Sequence, residues 1–522
     1  MGEETRISND RRAESKIVNK ASVANDPNKD KVEGEIRLQS EAVRKEPNSP
    51  HDWFSLAEAH RVAGRMAEAA YNYAKRADIS PTDEEAWNAR LQEARCLRTL
   101  GDAGGFLRQA LAAFNQRPER AEPLYDLARF YRERGMYEAS VLFSEAGLTL
   151  PHPGPDAQFL EDFVYTAGLR EEYSIAANYA RDPVRKDQGR AACNWLALNR
   201  DLPAGSRNLA RYNLFFYAEP AVAMMPSFTS APVGFTPPDN YRPMNPSVAR
   251  WGERIMVAQR AVNYVLKEDG RYQSLDGAPF RTRNFLLLLS NELQIQSSVE
   301  ILPPADMPKP VYPDETAFGD MRLFAWGDAL WCIACFRELT PQGWCEQVLA
   351  RIDCGSPGSC RLADWRVLRP ALPMRHEKNW MPQIVGDRLQ FIYSCDPTRV
   401  VDERERTVVD TTPTIAADQF RGGSQAIPFD DGWLVLIHEV VWHQRRRFYL
   451  HRFVWFDRSI ALQGVSRTFF FQKKSVEFAA GLAWHPQGDS LLISYGVDDG
   501  EAWIATVQVD EVRRVLEDTE GQ

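Results

Sequence analysis

The sequence predicts a multidomain α+β protein in which an all-α solenoid of helical hairpins precedes an all-β domain. The chain has 522 residues, which is too many for one hydrophobic core. Up to about residue 219 the apolar residues recur at helical spacing, and later they form short runs separated by turn residues. We therefore expect a disordered tail over residues 1–34, helical repeats over 35–219, a Pro-rich linker over 220–244 and the β domain over 245–515.

The helical part contains a repeat of hairpin length. Trp53 and Trp87 lie 34 residues apart, which is the period of tetratricopeptide repeats. Gly64 and Gly135 stand at turn positions of units that otherwise share small and aromatic residues at fixed spacing. Because no single hairpin can bury its apolar face alone, consecutive hairpins have to stack. The pattern predicts a tetratricopeptide-like solenoid, which would dock a protein partner.

The second half of the chain repeats a different unit. A turn-like pair precedes a strong strand four times, at Trp326–Asp328, Val385–Asp387, Asp430–Gly432 and Gln487–Asp489. Such repetition favours the blades of a β-propeller, although the patterning alone also allows a β-sandwich.

Composition and charge exclude several classes of function. The net charge of -9 argues against a general nucleic-acid binder. The N-terminus lacks the apolar segment of a secretory signal, and no run of about 18 apolar residues predicts a membrane span. We therefore expect a cytoplasmic protein whose eight cysteines are reduced thiols. Cys332 and Cys335 form a C-x-x-C, but on a strand they point to opposite faces, so neither a metal nor a cofactor is expected.

Five stretches of the β domain carry a resemblance to a known family. In chain order they are Asn245–Ser247 with Arg260–Tyr264, Gly319–Phe324, Glu377–Pro382, Arg421–Ser424 with Gly432–Leu434 and His438, and Gly481 with Tyr495–Asp499. Together they resemble the five-bladed propellers of glycoside hydrolase family 130, the mannoside phosphorylases, and of the related β-1,2-mannosyltransferases. The helical part resembles the tetratricopeptide segment of certain bacterial glycosyltransferases. The resemblance implies an all-β five-bladed β-propeller.

The resemblance also implies a catalytic carboxylate. The family's catalytic residue lies in a Glu-Asp-Pro-Arg motif, which here reads Gly319-Asp320-Met321-Arg322 without the Glu and the Pro. Asp320 is then the proton-shuttling group and Arg322 an anion ligand. Residues two apart on a strand share a face, so both could line one channel. The structural alternative is a simple ion pair between these two side chains.

Other residues are expected to bind the substrate or its phosphate. Lys378 and Trp380 alternate onto one face of a strand, which suits a phosphate beside a sugar. Gly422 and Gly423 offer backbone amides that an oxyanion can approach closely. A cationic cup would be formed by the side chains of Arg322, Lys378, Arg421 and His438. The resemblance adds Arg260, Asn263, Asn379, Tyr495 and Asp499 to this set. The alternative for each residue is a solvated or ion-paired strand position.

Two further motifs are better explained by structure. His438–His443 has one residue too many for the helical zinc pattern and lies on a predicted strand. The basic run Gln444–Arg447 is typical of a solvated hairpin turn rather than of a nucleic-acid patch.

These features predict a glycosyltransferase-like enzyme. A sugar would pass from a nucleotide sugar or a sugar 1-phosphate to a glycan acceptor, with Asp320 as the base and the helical repeats as a docking surface. A glycoside phosphorylase, with Asp320 as the acid, is one alternative. A non-catalytic scaffold that binds glycan or protein is the other.

Overall fold

The computed structural model describes residues 27–267, 270–312, 315–316, 318–356, 358–369 and 376–517. The chain divides into two compact units, Met1–Glu172 and Tyr173–Gln522. The coarse prediction is confirmed, since an N-terminal helical region is followed by a large β region. Residues 27–34, predicted as part of the tail, begin the first helix, and residues 1–26 lie outside the described ranges. None of the helices in these ranges has the length and hydropathy needed to cross a bilayer.

The first unit consists of stacked helical hairpins. Its described helices are α1 (Pro27–Lys45), α2 (Pro50–Val62), α3 (Met66–Ile79), α4 (Glu84–Thr99), α5 (Ala103–Gln116), α6 (Glu122–Glu133) and α7 (Tyr137–Leu148), and a π-helical turn follows at Val164–Gly168. Ser49 and Asp83 cap α2 and α4 by accepting backbone N–H bonds. Gly64 and Gly135 take left-handed conformations just after α2 and α6. Trp87 is completely buried, as stacking of the repeats requires.

Further helices accompany the strands. They are α8 (Leu169–Ala177), which spans the division between the units, α9 (Pro183–Leu198), α10 (Ala204–Tyr217), α11 (Ala221–Met224) and α12 (Val509–Glu517). Helix α9 is tied to the β region because the buried Arg452 donates a hydrogen bond of 2.7 Å to Asn194 Oδ1. The compact unit that carries the strands therefore begins within the helical part of the chain.

The strands are short and closely spaced in sequence. The first half of the region contains β1 (Glu219–Pro220), β2 (Thr229–Pro232), β3 (Arg242–Trp251), β4 (Arg254–Val262), β5 (Tyr264–Leu266), β6 (Tyr272–Ser274), β7 (Phe280–Leu289), β8 (Ile295–Leu302), β9 (Glu315–Thr316), β10 (Gly319–Trp326), β11 (Ala329–Phe336), β12 (Glu346–Ser356) and β13 (Ser359–Leu368). The second half contains β14 (Met381–Val385), β15 (Arg388–Cys395), β16 (Thr398–Asp402), β17 (Thr407–Thr411), β18 (Arg421–Gly422), β19 (Ile427–Phe429), β20 (Gly432–His443), β21 (Arg446–Phe456), β22 (Leu462–Val465), β23 (Phe469–Phe470), β24 (Glu477–Trp484), β25 (Ser490–Val497) and β26 (Glu501–Gln508).

Most strands pair with their sequence neighbours in antiparallel sheets. The largest sheet has the order β10-β11-β12-β13-β8-β7-β4-β3, with a short parallel contact between β13 and β8, and β9 pairs with β7. The others are β14-β15-β16-β17, β1-β23-β21-β20-β18 with β19 and β22 attached, β2-β26-β25-β24, and the small pair β5-β6. Strand β2 thus completes a sheet whose other strands end the region.

The first strands of these sheets lie side by side. Strand β3 packs against both β10 and β24, and β10 also contacts β14. Ser247 on β3 joins three strands, because its hydroxyl donates to the Ala480 carbonyl and accepts from the Leu323 amide. Gln425 makes a similar link to Val248 and Leu482. Buried polar side chains therefore hold the adjoining strands β3, β10 and β24 together, and β3 and β10 carry residues of the candidate site.

One cysteine prediction is wrong. Cys354 and Cys360 form a disulfide, whereas reduced thiols were expected. The cause is the β12–β13 hairpin, which pairs Asp353 with Arg361 and brings the two flanking cysteines together. Cys332, in contrast, lies in the core as expected, and Cys335 is partly buried and lies outside that core cluster.

Candidate active site

A β-bulge at Asp320 sets the geometry of the candidate active site. The pairing of β10 with β11 changes register between Gly319 and Arg322. Asp320 has φ of 47°, in the left-handed region that side chains other than glycine rarely adopt. A bulge re-aims the side chain it carries, so Asp320 and Arg322 do not follow the regular alternation assumed from the sequence.

A residue in the left-handed conformation also occurs within or just before two other strands, β3 and β14. Strand β3 changes register between Met244 and Ser247, around Asn245 with φ of 41°. Asn379, just before β14, has φ of 64°. Strained residues of this kind are characteristic of sites where a side chain has to be held in one place.

The Asp320 carboxylate is held by two donors. Its Oδ1 accepts a hydrogen bond of 2.7 Å from Arg260 Nη1 and one of 2.9 Å from Asn245 Nδ2. The other end of the Arg260 guanidinium donates to Tyr264 Oη and Thr282 Oγ1. The Asp320 side chain is 26% exposed, so it stays accessible. The ion pair is therefore with Arg260, not with Arg322.

Arg322 is a positioning residue rather than a free anion ligand. It is completely buried. Its Nε donates to the Gly423 carbonyl, Nη1 to the Asp320 carbonyl and Nη2 to Asn379 Oδ1, all at 2.8–2.9 Å. The guanidinium thus joins the residue after β18, the start of β10 and Asn379 just before β14, and these contacts do not fit the predicted role as an anion ligand.

Asp320 is ionised at neutral pH. Burial by itself would raise the pKa of Asp320, but the charges of Arg260 and Arg322 and the Asn245 hydrogen bond lower it to about 2. Lys378 contributes in the same direction.

A second carboxyl group, Asp499, behaves in the opposite way. It is buried, with φ of 50°, and its Oδ2 accepts a hydrogen bond of 2.6 Å from Tyr272 Oη. Burial raises the pKa of Asp499, and the negative charge of Asp320 adds to this rise, although Tyr272 opposes it. Two carboxyls whose pKa values are driven apart are suited to separate base and acid roles.

Lys378 is exposed and faces a pair of thiols. Arg337 Nε donates to Cys345 Sγ at 3.2 Å, and the Cys345 thiol is hydrogen-bonded to Cys335. The bond to Cys335 lowers the pKa of Cys345 to about 4 against the effect of burial, and the charges of Lys378 and Arg337 contribute. Although the side chain is exposed, the protein atoms around its ammonium partly desolvate it and act to lower the pKa of Lys378, but both thiols raise that pKa overall. Lys378 thus remains a cation beside a thiolate.

Arg421 and His438 are cross-strand partners on β18 and β20. Arg421 is exposed, whereas His438 is buried with its ring 4.6 Å from that of Tyr449. Burial, with the charges of His451 and Arg421, lowers the pKa of His438 well below its ordinary value. His438 is therefore neutral and adds no charge to the predicted cationic cup.

Gly422 and Gly423 have a packing role that the sequence did not predict. A Cβ at Gly422 would lie 2.0 Å from the Asn379 carbonyl oxygen, and one at Gly423 would lie 2.6 Å from that of Leu436. Glycine is thus required here for close packing of neighbouring strands.

Three other predicted ligands are structural. Trp380 is completely buried and donates to Glu377 Oε2 at 3.0 Å, because the left-handed Asn379 interrupts the alternation that would pair it with Lys378. Tyr495 is buried and stacks on Phe471 at 4.1 Å. Asn263 uses its side-chain amide to hold the loop of residues 276–281. None of the contacts just described involves Asp320.

Several residues of the cluster were missed by the sequence reasoning. They are Asn245 as a ligand of Asp320, Tyr272, Arg337, the thiols of Cys335 and Cys345, and Tyr449. Asn245 lay within a quoted stretch and could have been found. Cys335 was noted only as part of a C-x-x-C, and the others have no sequence signal. Among the described residues, no group of three or more His, Cys, Asp or Glu side chains is placed to share a metal ion.

Comparisons with known proteins give structural similarity only. No protein-family model and no curated protein matches the chain. The chain is similar to β-1,2-mannobiose phosphorylase from Listeria innocua, with 13% identity, 56% of this chain and 97% of that one covered, and a TM-score of 0.38. The values for a mannose phosphorylase from Leishmania mexicana, solved with a phosphate ion, are 12%, 59%, 94% and 0.39. For MamA they are 12%, 36%, 91% and 0.26. Because these TM-scores are below 0.5, the chemistry has to be inferred from the residues of this chain.

Proposed function

We propose that this chain is a carbohydrate-active enzyme that transfers a sugar from a phosphate-activated donor to a hydroxyl of a glycan acceptor. The observation that carries the proposal is the Asp320 carboxylate, which is ionised, accessible and held by Arg260 and Asn245. Two exposed cations are available for the phosphate. Lys378 acts electrostatically on Asp320, and Arg421 is the cross-strand partner of His438.

In this reaction Asp320 acts as the base. It accepts the proton of the acceptor hydroxyl while the hydroxyl oxygen attacks the anomeric carbon. The bond from that carbon to the phosphate oxygen breaks, and the phosphate leaves with the electron pair. A phosphate leaving group needs no proton, so Lys378 and Arg421 have only to stabilise its charge. The donor's own negative charge would raise the pKa of Asp320 and make it a stronger base.

A glycoside phosphorylase is the second candidate, and Asp499 is the observation that favours it. Phosphorolysis cleaves a glycosidic bond with inorganic phosphate and needs a proton for the glycosidic oxygen. The raised pKa of Asp499, bonded to Tyr272, makes it the better proton carrier of the two carboxyls. The two candidates differ in the reaction and in which of the two aspartates transfers the proton.

The β region would then be a five-bladed propeller. Its described strands fall into the four-stranded groups β3-β4-β7-β8, β10 to β13, β14 to β17, β19 to β22 and β24 to β26 with β2. Side-by-side packing of β3 with β10 and of β24 with β3 supports closure into a ring. Strand β2 would close it, because it joins the start of the region to the last sheet. The helical repeats would dock a protein partner or the acceptor.

A donor screen with nucleotide sugars and sugar 1-phosphates tests the proposal. Asp320→Asn keeps the size of the side chain but cannot take the proton, so turnover should fall about 10²–10⁴-fold while donor binding persists. Lys378→Ala should instead weaken donor binding. Asp364→Asn is a matched control, since Asp364 also has left-handed φ (48°) and an arginine partner, Arg351, but lies at an exposed site.

Each outcome of the screen has a clear meaning. Full turnover by Asp320→Asn, or an equal loss in Asp364→Asn, would contradict the catalytic assignment. A wild type that transfers no sugar but binds glycan would be a scaffold.

A further inference from the structure

A cavity lies at the β20–β21 hairpin. Its volume is about 310 Å³, within the range of small-molecule sites. The side chains that matter here are those of Tyr272, Trp442, Arg445, Arg446, Arg447 and Ser475.

The cavity is strongly cationic in an acidic protein. Lys267 and Lys474 join the three arginines of the hairpin on its wall, and among the described residues that line it Asp498 is the one carboxylate. That carboxylate is 2.8 Å from the ammonium of Lys473 and is therefore already paired. The whole chain has a net charge of -9. Such a local excess of positive charge favours a ligand with several negative charges, and arginine forks match phosphate oxygens in geometry.

The cavity also offers an aromatic surface and a hydroxyl. Trp442 is 63% exposed, although an indole is normally covered, and it faces Arg447 across the hairpin. The Ser475 hydroxyl is buried and has no hydrogen-bond partner among the described residues. A ligand with a flat ring and phosphate oxygens would use both groups.

The hairpin turn is strained. Gln444 and Arg445 have φ of 49° and 65°, in a two-residue turn whose conformation normally selects Asn or Gly. Strain at a non-glycine residue is retained where its side chain is needed. The sequence predicts this run as a solvated turn, and the structure confirms the turn but places its arginines around a cavity.

The cavity adjoins the Asp320 cluster through one residue. Tyr272 lines the cavity and also donates to Asp499, which interacts electrostatically with Asp320 and Arg260. Arg447 likewise contacts Tyr272. A molecule that reaches Asp320 with its sugar could therefore extend past Tyr272 into the cavity.

We infer that this cavity binds the nucleoside diphosphate part of the sugar donor, with Trp442 under the base and the hairpin arginines on the phosphates. The inference rests on the proposed function and specifies its donor class as a nucleotide sugar rather than a sugar 1-phosphate.

Calorimetric titration with UDP, GDP, ADP, CDP and inorganic pyrophosphate tests this inference. One nucleotide should bind at least about tenfold more tightly than pyrophosphate, because only the nucleotide can stack on Trp442. Trp442→Ala should remove that difference and leave pyrophosphate binding unchanged. Arg446→Gln should weaken both ligands about tenfold or more. Equal binding of pyrophosphate and all nucleotides, or no binding, would overturn the inference.

A matched pair of residues serves as the control. Trp251 and Arg254 face each other at the end of the β3–β4 hairpin, and the guanidinium carbon of Arg254 lies 5.6 Å from the centre of the Trp251 ring. Trp251→Ala and Arg254→Gln should leave nucleotide binding unchanged, and an equal loss in these variants would contradict a specific site.

Arg445→Gly separates binding from folding. Glycine relieves the left-handed strain, so the melting temperature should rise while nucleotide affinity falls. A variant that is more stable and binds as tightly as the wild type would refute the role of Arg445.

The two proposals fail in different ways. Nucleotide binding without transfer of any sugar would contradict the proposed function alone. Transfer from a sugar 1-phosphate that is insensitive to Trp442→Ala and Arg446→Gln would contradict this inference alone.

Discussion

Asp320 and Asp499 lie in two regions of the β unit that look alike in backbone and differ in chemistry. Each aspartate has left-handed φ near 50°. Asp320, at the start of β10, accepts from a guanidinium and an amide, whereas Asp499, after β25, accepts from a tyrosine hydroxyl. The pKa of the first is lowered to about 2, and that of the second is raised. The difference indicates that the partners of a carboxyl, not its backbone, decide its protonation state.

The two carboxyls should also affect stability with opposite sign. A lowered pKa stabilises the fold above the ordinary Asp pKa of about 4, and this contribution is lost as the pH falls towards the folded-state value of about 2. A raised pKa acts the other way, because stability present below pH 4 is lost as the pH rises through the folded-state pKa.

The largest effect is expected when Arg260 is replaced. Arg260→Gln leaves Asp320 without its cation in a mostly buried position, so the free energy of unfolding at pH 7 should fall by about 3–5 kcal/mol. The deficit should shrink at acid pH, where Asp320 is protonated. Denaturant unfolding at several pH values measures it. Arg351→Gln, which breaks the exposed pair with Asp364, should cost less than about 1 kcal/mol. Similar losses in both variants would mean that the ion pair of Asp320 with Arg260 stabilises the fold no more than the exposed pair of Asp364 with Arg351.

Asp320→Asn should have a smaller effect on stability than on turnover. With the folded-state pKa at about 2, removing the charge should cost about 2 kcal/mol at neutral pH. The difference from the wild type should disappear as the pH is lowered from about 4 towards 2. A difference that is constant over this range would show that the carboxylate charge is not its cause.

Sequence reasoning predicted Asp320 as the central residue of the site but did not predict the residues around it. Asp320 was identified from a degenerate motif, and the helix-then-strand order followed from the change in apolar spacing. Trp380 was misassigned because alternation along a strand was assumed through Asn379, whose left-handed φ cannot be read from its neighbours. The roles of Gly422 and Gly423 depend on carbonyls of other strands.

The remaining residues were missed for a similar reason. Tyr272 lies in a hairpin outside every quoted motif, 227 positions before Asp499. The Cys335 and Cys345 pair depends on the register of β11 and β12. Contacts between distant segments are a property of the fold, so local patterns do not contain them.

Asp499→Asn is expected to have the smallest effect and the opposite sign. Asparagine resembles the protonated carboxyl in size and can still accept the Tyr272 hydrogen bond, so the variant should equal the wild type in stability below pH 4. As the pH rises, the wild-type carboxyl has to ionise in a buried position or keep its proton, whereas the amide does neither, so the variant should become the more stable protein. Melting temperatures of both proteins from pH 4 to pH 8 measure this. If Asp499→Asn were instead less stable at pH 8, Asp499 would be a stabilising carboxylate, and the division of base and acid roles between the two aspartates would be wrong.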